Sequence, residues 1–568
     1  MKRYIAMAAL TVALMPAAAQ DTYENANVLG GDLNGTARYV GMGGAMEALG
    51  ADISTIGTNP AGLGLFRHSH VSLSAGLVSQ QGMNKFDNLS KTNMSFDQGG
   101  FVWADIVGDE SFLNFSFNYH KSRNFDRLIN VHNNFVRHND RGASLSKLAF
   151  AKSTKRSDTN GGYDLGYNTK TNTWMGYRNP QENSQYAYPF TQWDYLYTNA
   201  YNVDDVNNPE GDFLFSDAHD YYFDEANRGW IADFDFNLSG NFDQRVFWGL
   251  TFGFHSVNYK SFSLYDEMLV NSNGDDVGTI QLEDDHRIEG SGFDVKFGLI
   301  VRPVEDSPFR VGLSVSTPTW YTLTSKNYTT IFNNTYTGEY EHLLDPAYDY
   351  WGYDDLSCED SFEYKYVTPW KFGLSLGHTF ESYLALGASY EYSDYGAAST
   401  RGYNGSFDYY GHENTSQDRI MTRDTENKLT GVHLLKVGAE FKPDPALAVR
   451  LGYNYQTTAY NKDAFRDTQL DSPGVYFSST PDFVNWDDTH RITCGLGYKY
   501  EGFSIDLAYQ YSINKGTFHP FQSNLEFQDG YITYDNGVTE PYYETCIATP
   551  TSFDFKRHQV LLTLGYTF

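Results

Sequence analysis

The chain closes on Val560-Leu561-Leu562-Thr563-Leu564-Gly565-Tyr566-Thr567-Phe568. In an extended strand successive side chains point to opposite faces, so Val560, Leu562, Leu564, Tyr566 and Phe568 share one side. Leu561, Thr563, Gly565 and Thr567 share the other. One face is hydrocarbon ending in aromatics; the other is mostly small or polar. That division suits a strand with lipid on one side and a polar lumen on the other.

The same template recurs upstream. It predicts fourteen strands, at 70–79, 100–108, 111–122, 233–242, 246–259, 291–303, 309–318, 368–380, 383–395, 433–443, 447–456, 489–502, 503–512 and 557–568. In 447–456, Leu447, Val449, Leu451, Tyr453 and Tyr455 face one way, while Ala448, Arg450, Gly452 and Asn454 face the other. In 503–512, Ser504, Asp506, Ala508 and Gln510 oppose an apolar row, and in 291–303 Asp294, Lys296 and Arg302 do. Charges of both signs on the non-lipid face require a hydrated or internally paired lumen, because an unpaired charge in a dry core costs several kcal/mol.

Connections alternate in length. Short turns fall at Asp109-Glu110, 242–245, 304–308, Glu381-Ser382, 443–446 and Glu501-Gly502. Long segments fall at 80–99, 123–232, 260–290, 319–367, 396–432, 457–488 and 513–556. The reading is an all-β, 14-stranded antiparallel transmembrane β-barrel over 67–568, with turns at one end and long loops at the other. An even strand number places both termini on the turn side, expected to be the periplasm.

Composition agrees. Of 568 residues, 17% are aromatic and only 20% charged, which excludes a disordered acidic chain. A formal net charge of −30 excludes a nucleic-acid binder. Three cysteines make no disulfide framework. Mean hydropathy is −0.51, and past the N-terminus no apolar run reaches the ~20 residues that a membrane helix needs. Residues 1–20, MKRYIAMAALTVALMPAAAQ, combine Lys2-Arg3, an apolar stretch and Ala17-Ala18-Ala19, the three parts of a signal peptide. No Cys follows, which argues against a lipid anchor. The expected location is the outer membrane of a Gram-negative cell.

Between leader cleavage and the first strand lie Gly35–Gly50, GTARYVGMGGAMEALG, and Asn59-Pro60-Ala61-Gly62-Leu63. Pro60 fixes φ and biases Asn59 toward extended backbone, and the glycines permit tight turns. At this point the sequence resembles the FadL/TodX family of outer-membrane transporters of long-chain fatty acids and hydrocarbons. Gly43, Gly44, Ala48, Asp52, Asn59, Pro60, Ala61, Gly62 and Leu63 follow a pattern its members carry just after the signal peptide. The resemblance covers roughly residues 35–66. It implies a hatch over 21–66 folded inside the barrel, with Asn59, Pro60, Ala61, Gly62, Gly43 and Gly44 in gating roles. It also implies passive uptake of hydrophobic small molecules such as long-chain fatty acids through an apolar pocket above the hatch. Residues 21–30 show no energy-coupling motif.

Two features depart from the family. Its lateral exit goes with a kink in the third strand, yet 111–122 contains no Gly or Pro. Its capture loops follow strands five and seven, whereas the longest loop here follows strand three. Ligand-contacting residues therefore stay unassigned.

No catalytic residue, metal site or cofactor is expected. Gly373-Leu374-Ser375-Leu376-Gly377 matches the nucleophile-elbow spacing but lies mid-strand with no helix after it. The acid pairs Asp354-Asp355 and Asp487-Asp488 lack a calcium-loop pattern. Cys494 falls on the lipid face. Cys358 and Cys546 occupy different outer loops and are free to pair in an oxidising compartment. Expected partners are a hydrophobic ligand, outer-membrane lipid, and the insertion machinery through the strand ending at Phe568, with the barrel a monomer. Uptake of haem or aromatic compounds, or surface adhesion through the loops, are the alternative functions.

Overall fold

The computed structural model describes residues 21–108, 111–136, 142–148, 164–168, 173–177, 188–189, 191, 193, 216–270, 273–335, 343–344, 360–407, 413–470, 472–476, 478–523, 525–533 and 539–568. Fourteen antiparallel strands close on themselves. They are β1 (His70–Gln80), β2 (Thr92–Ile106), β3 (Phe112–Asn124, continued by Arg127–Asn134), β4 (Asp217–Phe242), β5 (Val246–Val270) and β6 (Asp276–Val301). β7 follows (Arg310–Ser316, continued by Trp320–Thr335), then β8 (Asp360–Val367 and Lys371–Phe380) and β9 (Leu384–Asp394, continued by Ser399–Phe407). The wall ends with β10 (Gly431–Asp444), β11 (Leu447–Gln456), β12 (Phe483–Tyr500), β13 (Phe503–His519) and β14 (Thr551–Thr567). Each pairs with its sequence neighbours, and β1 pairs with β14 from His70↔Thr567 to Gln80↔Arg557, which closes the cylinder.

Near the turn end the alternation holds as expected. Leu562, Leu564 and Phe568 are exposed while Leu561 and Thr563 are buried. Phe236, Leu238, Phe252, Phe254, Leu374, Leu376, Leu451 and Leu507 extend this apolar band around the cylinder. Cys494 lies in it. Short turns use the backbone that a twisted hairpin demands: Asp243 and Gln244, and Glu501 and Gly502, all have positive φ. The expected turn at Asp109-Glu110 lies outside the described residues.

At the loop end the strands run far past the expected limits. β4 and β6 each have 26 residues and β5 has 25, where a tilted strand crosses a bilayer in about 9–11. Of the segments read as loops, 92–99 within 80–99, nearly all of 260–290 and 320–335 within 319–367 are therefore wall. Above the bilayer no lipid imposes an apolar outer row, so the alternation that marks a strand fades from the sequence. This upper wall is closed by packing instead. Trp193, Tyr221, Phe223, Phe518 and Phe521 form a buried cluster with Leu145, Leu148 and Cys546. Glu267 anchors it, accepting from the Leu145 N–H at 2.6 Å and the Tyr265 hydroxyl at 2.7 Å. Burial pushes its carboxyl up to about 8, so the group is largely protonated at neutral pH and carries no charge into an apolar setting. Cys546 is a free buried thiol that donates to the Ser144 carbonyl; Cys358 and the Asp354-Asp355 pair lie outside the described residues. Asp488 is occupied as an acceptor for Tyr455 and the Thr458 N–H.

β3 is irregular even without Gly or Pro. Its register against β4 shifts at Ser122, and the strand breaks at Phe125-Asp126. The cause sits across the ladder: Gly229 of β4 has φ +113° and its carbonyl receives the Phe125 N–H, while the Asn124 side chain accepts from Asp126.

Candidate functional site

Residues 21–66, called the leader from here on and distinct from the signal peptide, form four short helical turns separated by glycine-bearing bends. Each turn starts at a side chain that satisfies otherwise free N–H groups. Asp21 caps Thr22–Ala26, Thr36 caps Ala37–Gly41, Asp52 caps the 3₁₀ turn Ile53–Gly57, and Asn59 caps the 3₁₀ turn Pro60–Leu65. Asp52 also accepts the Thr36 hydroxyl, tying two of these turns together. Such a segment has too few large side chains for a core of its own. It is buried because the inner face of the barrel surrounds it.

The contacts run the length of the bore. At the loop end, Asp21 and Glu24 meet Arg466, the Thr22 hydroxyl donates to Asp424 at 2.6 Å, and the Tyr23 hydroxyl donates to Asn485 at 2.8 Å. Asp424 belongs to the helix Arg419–Lys428, which sits in a stretch read from sequence as loop. Midway, the Asp32 N–H donates to the carbonyl of Ser122, the residue at the β3 irregularity. The Ala37 N–H donates to the Thr563 hydroxyl at 2.7 Å, and Glu47 accepts from Lys436 at 2.7 Å. Arg38 pairs with Glu440, which also holds Arg450, which in turn holds Asp506 at 2.6 Å. At the turn end Arg310 donates to the Leu49 carbonyl at 2.6 Å.

Gly43, Gly44, Asn59, Pro60, Ala61 and Gly62 do not gather at one point. Gly43, Asn59, Pro60 and Ala61 lie along the wall where barrel strands lack side chains, whereas Gly44 meets Leu33, Tyr39 and the Lys436 side chain, and Gly62 packs on Thr55 and Gly50 within the segment itself. A Cβ added at Gly249 of β5 would lie 2.3 Å from the Pro60 carbonyl oxygen, and one at Gly298 of β6 would lie 2.1 Å from Asn59 Oδ1. The pattern continues through Gly312 against Asn59, Gly377 against Ala48 and Leu49, and Gly387 against Ala45. It ends with Gly438 against Met42, Gly452 against Gly43 and Gly495 against Gly41. Eight consecutive strands, β5 to β12, thus each present a glycine to the leader, with the nearest leader atom 2.0–3.3 Å from the position a Cβ would take. Gly64 completes the row by meeting the backbone of Gly240 in β4. Register carries the row from strand to strand: Gly249 pairs with Gly298, Gly377 with Gly387, Gly387 with Gly438, and Gly438 with Gly452. Asn59 is fully buried in this seam; its Oδ1 accepts from Ala61, and its Nδ2 has no hydrogen-bond partner among the described residues. The sequence carried this signal as one inward glycine per strand, visible only when the strands are aligned by their distance from the turns.

Cavities lie on both sides of the leader. Toward the loop end, one of about 170 Å³ has Val28, Leu29, Ile231, Tyr321 and Tyr395 on one flank. Its other flank is ionic. There His255 bridges Asp233 at 2.7 Å and Asp294 at 3.2 Å, Lys296 bridges Asp235 at 3.1 Å and Asp294 at 2.9 Å, and His120 lies 3.5 Å from Asp233 and Asp235. A second cavity of about 190 Å³ joins Phe125, Tyr460 and Trp486 to Arg123, Arg491 and Arg557. The chamber is amphipathic rather than the purely apolar pocket expected. Toward the turn end, cavities of about 360 and 220 Å³ lie beneath the leader. Ser375, of the nucleophile-like spacing, is buried in mid-strand β8.

Fold and site together define a transmembrane β-barrel whose own N-terminal segment occupies its bore. No family model matches the chain, and no curated protein does. Among solved structures it is similar to the toluene transporter TbuX of Ralstonia pickettii, at 11% identity over 94% of this chain and 99% of that one, TM-score 0.44. It is similar to a FadL homologue of Pseudomonas aeruginosa, at 13% over 95% and 99%, TM-score 0.44. The toluene transporter TodX of Pseudomonas putida matches at 10% over 95% and 99%, TM-score 0.42.

Proposed function

We propose that this protein is an outer-membrane channel for passive, inward movement of hydrophobic small molecules that carry a polar end, such as long-chain fatty acids. In this reading the turn end and both termini face the periplasm, and residues 21–66 are a hatch. A ligand enters between the loops, rests with its apolar part against Val28, Leu29 and Tyr395, and moves on when the hatch shifts. The observation that carries the reading is the leader lying across the bore with cavities on either side of it. The phrase around Asn59-Pro60-Ala61-Gly62, with its resemblance to a transporter family, supports the same assignment. Movement follows from binding strong enough to admit the ligand and weak enough to release it.

The test is uptake. Replacing Asn59 and Pro60 by Ala removes the cap and the fixed φ that seat the hatch between β5, β6 and β7. Uptake of a radiolabelled long-chain fatty acid by a deletion strain carrying the variant is expected to fall at least fivefold, with heat-modifiable migration of the barrel unchanged. Normal uptake with both residues replaced overturns the hatch.

A further inference from the structure

The cavity of about 220 Å³ at the turn end stands against the composition of the chain. In a protein with 71 acidic and 41 basic residues, three arginines line it, Arg67, Arg302 and Arg310, and among the described residues no Asp or Glu does. Their bonds go to neutral acceptors. Arg67 donates to the Gln244 side chain, and Arg310 Nη1 to the Leu49 carbonyl. Arg302 donates to the carbonyls of Gln244, Glu305 and Ser307 at 3.2–3.4 Å. The Glu305 carboxylate points away, is 77% exposed, and reaches Arg245 at 3.5 Å. Arg310 Nε has no hydrogen-bond partner among the described residues. Three guanidinium groups thus share a space, and none of them has a carboxylate partner among the described residues. The remaining wall is largely apolar, with Leu65 from the leader and Phe112 and Phe247 from the barrel.

We infer that this cavity is a binding site for the carboxylate end of an amphipathic, alkyl-chain anion. Guanidinium forks match a carboxylate with paired, charge-assisted hydrogen bonds, and they lose less hydration than an ammonium does on entering a partly apolar space. Leu65, Phe112 and Phe247 supply the contact for the first carbons of the chain. The site straddles the seam between leader and wall: Arg67 follows directly on the leader, whereas Arg302 and Arg310 flank the β6–β7 turn. A bound carboxylate therefore ties the two together. This deepens the transport reading and rests on it, by naming the chemical class of ligand that reaches the turn end.

The experiment uses the full mature chain in nanodiscs and titrates octanoate, 1-octanol and inorganic phosphate by calorimetry. Arg310→Met is expected to weaken octanoate binding at least tenfold and leave 1-octanol unchanged. Arg67→Gln, at an exposed side chain that leaves the Leu49 bond intact, is expected to weaken it at least threefold. Octanoate affinity unchanged in both variants overturns the site. Phosphate binding as tightly as octanoate overturns the amphiphile and leaves a site for free anions. Liposome uptake of 1-octanol separates the two readings. Its failure in the wild-type protein sinks the channel while the octanoate result still decides the site; uptake without arginine-dependent octanoate binding sinks the site alone.

Discussion

The two sides of the bore hold the leader by different means. Along β5–β12 glycines let the leader lie directly against the wall, and the buried ion pairs Glu47–Lys436 and Arg38–Glu440 fasten that close approach. Along β13, β14 and β1–β3 it passes mostly through side chains, beside the bond from the Asp32 N–H to the Ser122 carbonyl. Thr563 accepts from Ala37, Gln559 donates to Asn34, Asn114 donates to the carbonyls of Leu63 and Phe66, and Ala508 and Leu561 pack against the helix Ala37–Gly41. A backbone seat has no rotamers and cannot yield by small steps. A side-chain seat can rearrange one bond at a time.

Filling the glycine seat breaks this contrast most strongly. Gly298→Val with Gly438→Val sets a side chain where a Cβ alone would lie 2.1–2.2 Å from leader atoms. Each substitution costs at least the roughly 1–3 kcal/mol of an overpacked core, and distant sites add. The leader is expected to leave the bore while the barrel stays closed, read as a several-fold rise in single-channel conductance. Unchanged conductance would show that the seat has slack.

Glu440→Gln comes next. It leaves Arg38 and Arg450 facing a neutral amide in a buried network, at a cost of about 3 kcal/mol. The expected result is faster hydrogen exchange of the leader amides around Arg38, at wild-type conductance for most of the recording. The smallest effect belongs to the side-chain seat. Thr563→Val removes the acceptor of the Ala37 N–H and costs about 1–3 kcal/mol. Exchange should quicken at Ala37 and its neighbours only, with uptake unaltered. If it quickens across the whole leader, the two seats are not separable.

What could be read from the sequence follows the solvent. Where lipid touches the wall, one row must be apolar, and strands such as 447–456 and 503–512 appear with both faces assigned. Beyond the bilayer, water and the packed crown impose no such rule, so the upper halves of β4, β5 and β6 read as loop. The break in β3 escaped because its cause, Gly229, is on the neighbouring strand, far away in sequence. The arginines of the turn-end cavity were legible singly, Arg302 as a lumen residue, but nothing local brought Arg67 and Arg310 to it. Asn59 and Pro60 stood out by their pattern, while the glycines that receive them looked like ordinary small residues.

The pairing of β1 with β14 joins the two ends of the wall. The leader passes through Arg67–Ser69 straight into β1, and the Phe568 N–H donates to the Ser69 carbonyl beside the β1–β14 seam. Contacts this distant in sequence are slow to form. The wall is a closed cylinder only once these two strands, the most distant in the chain, have met.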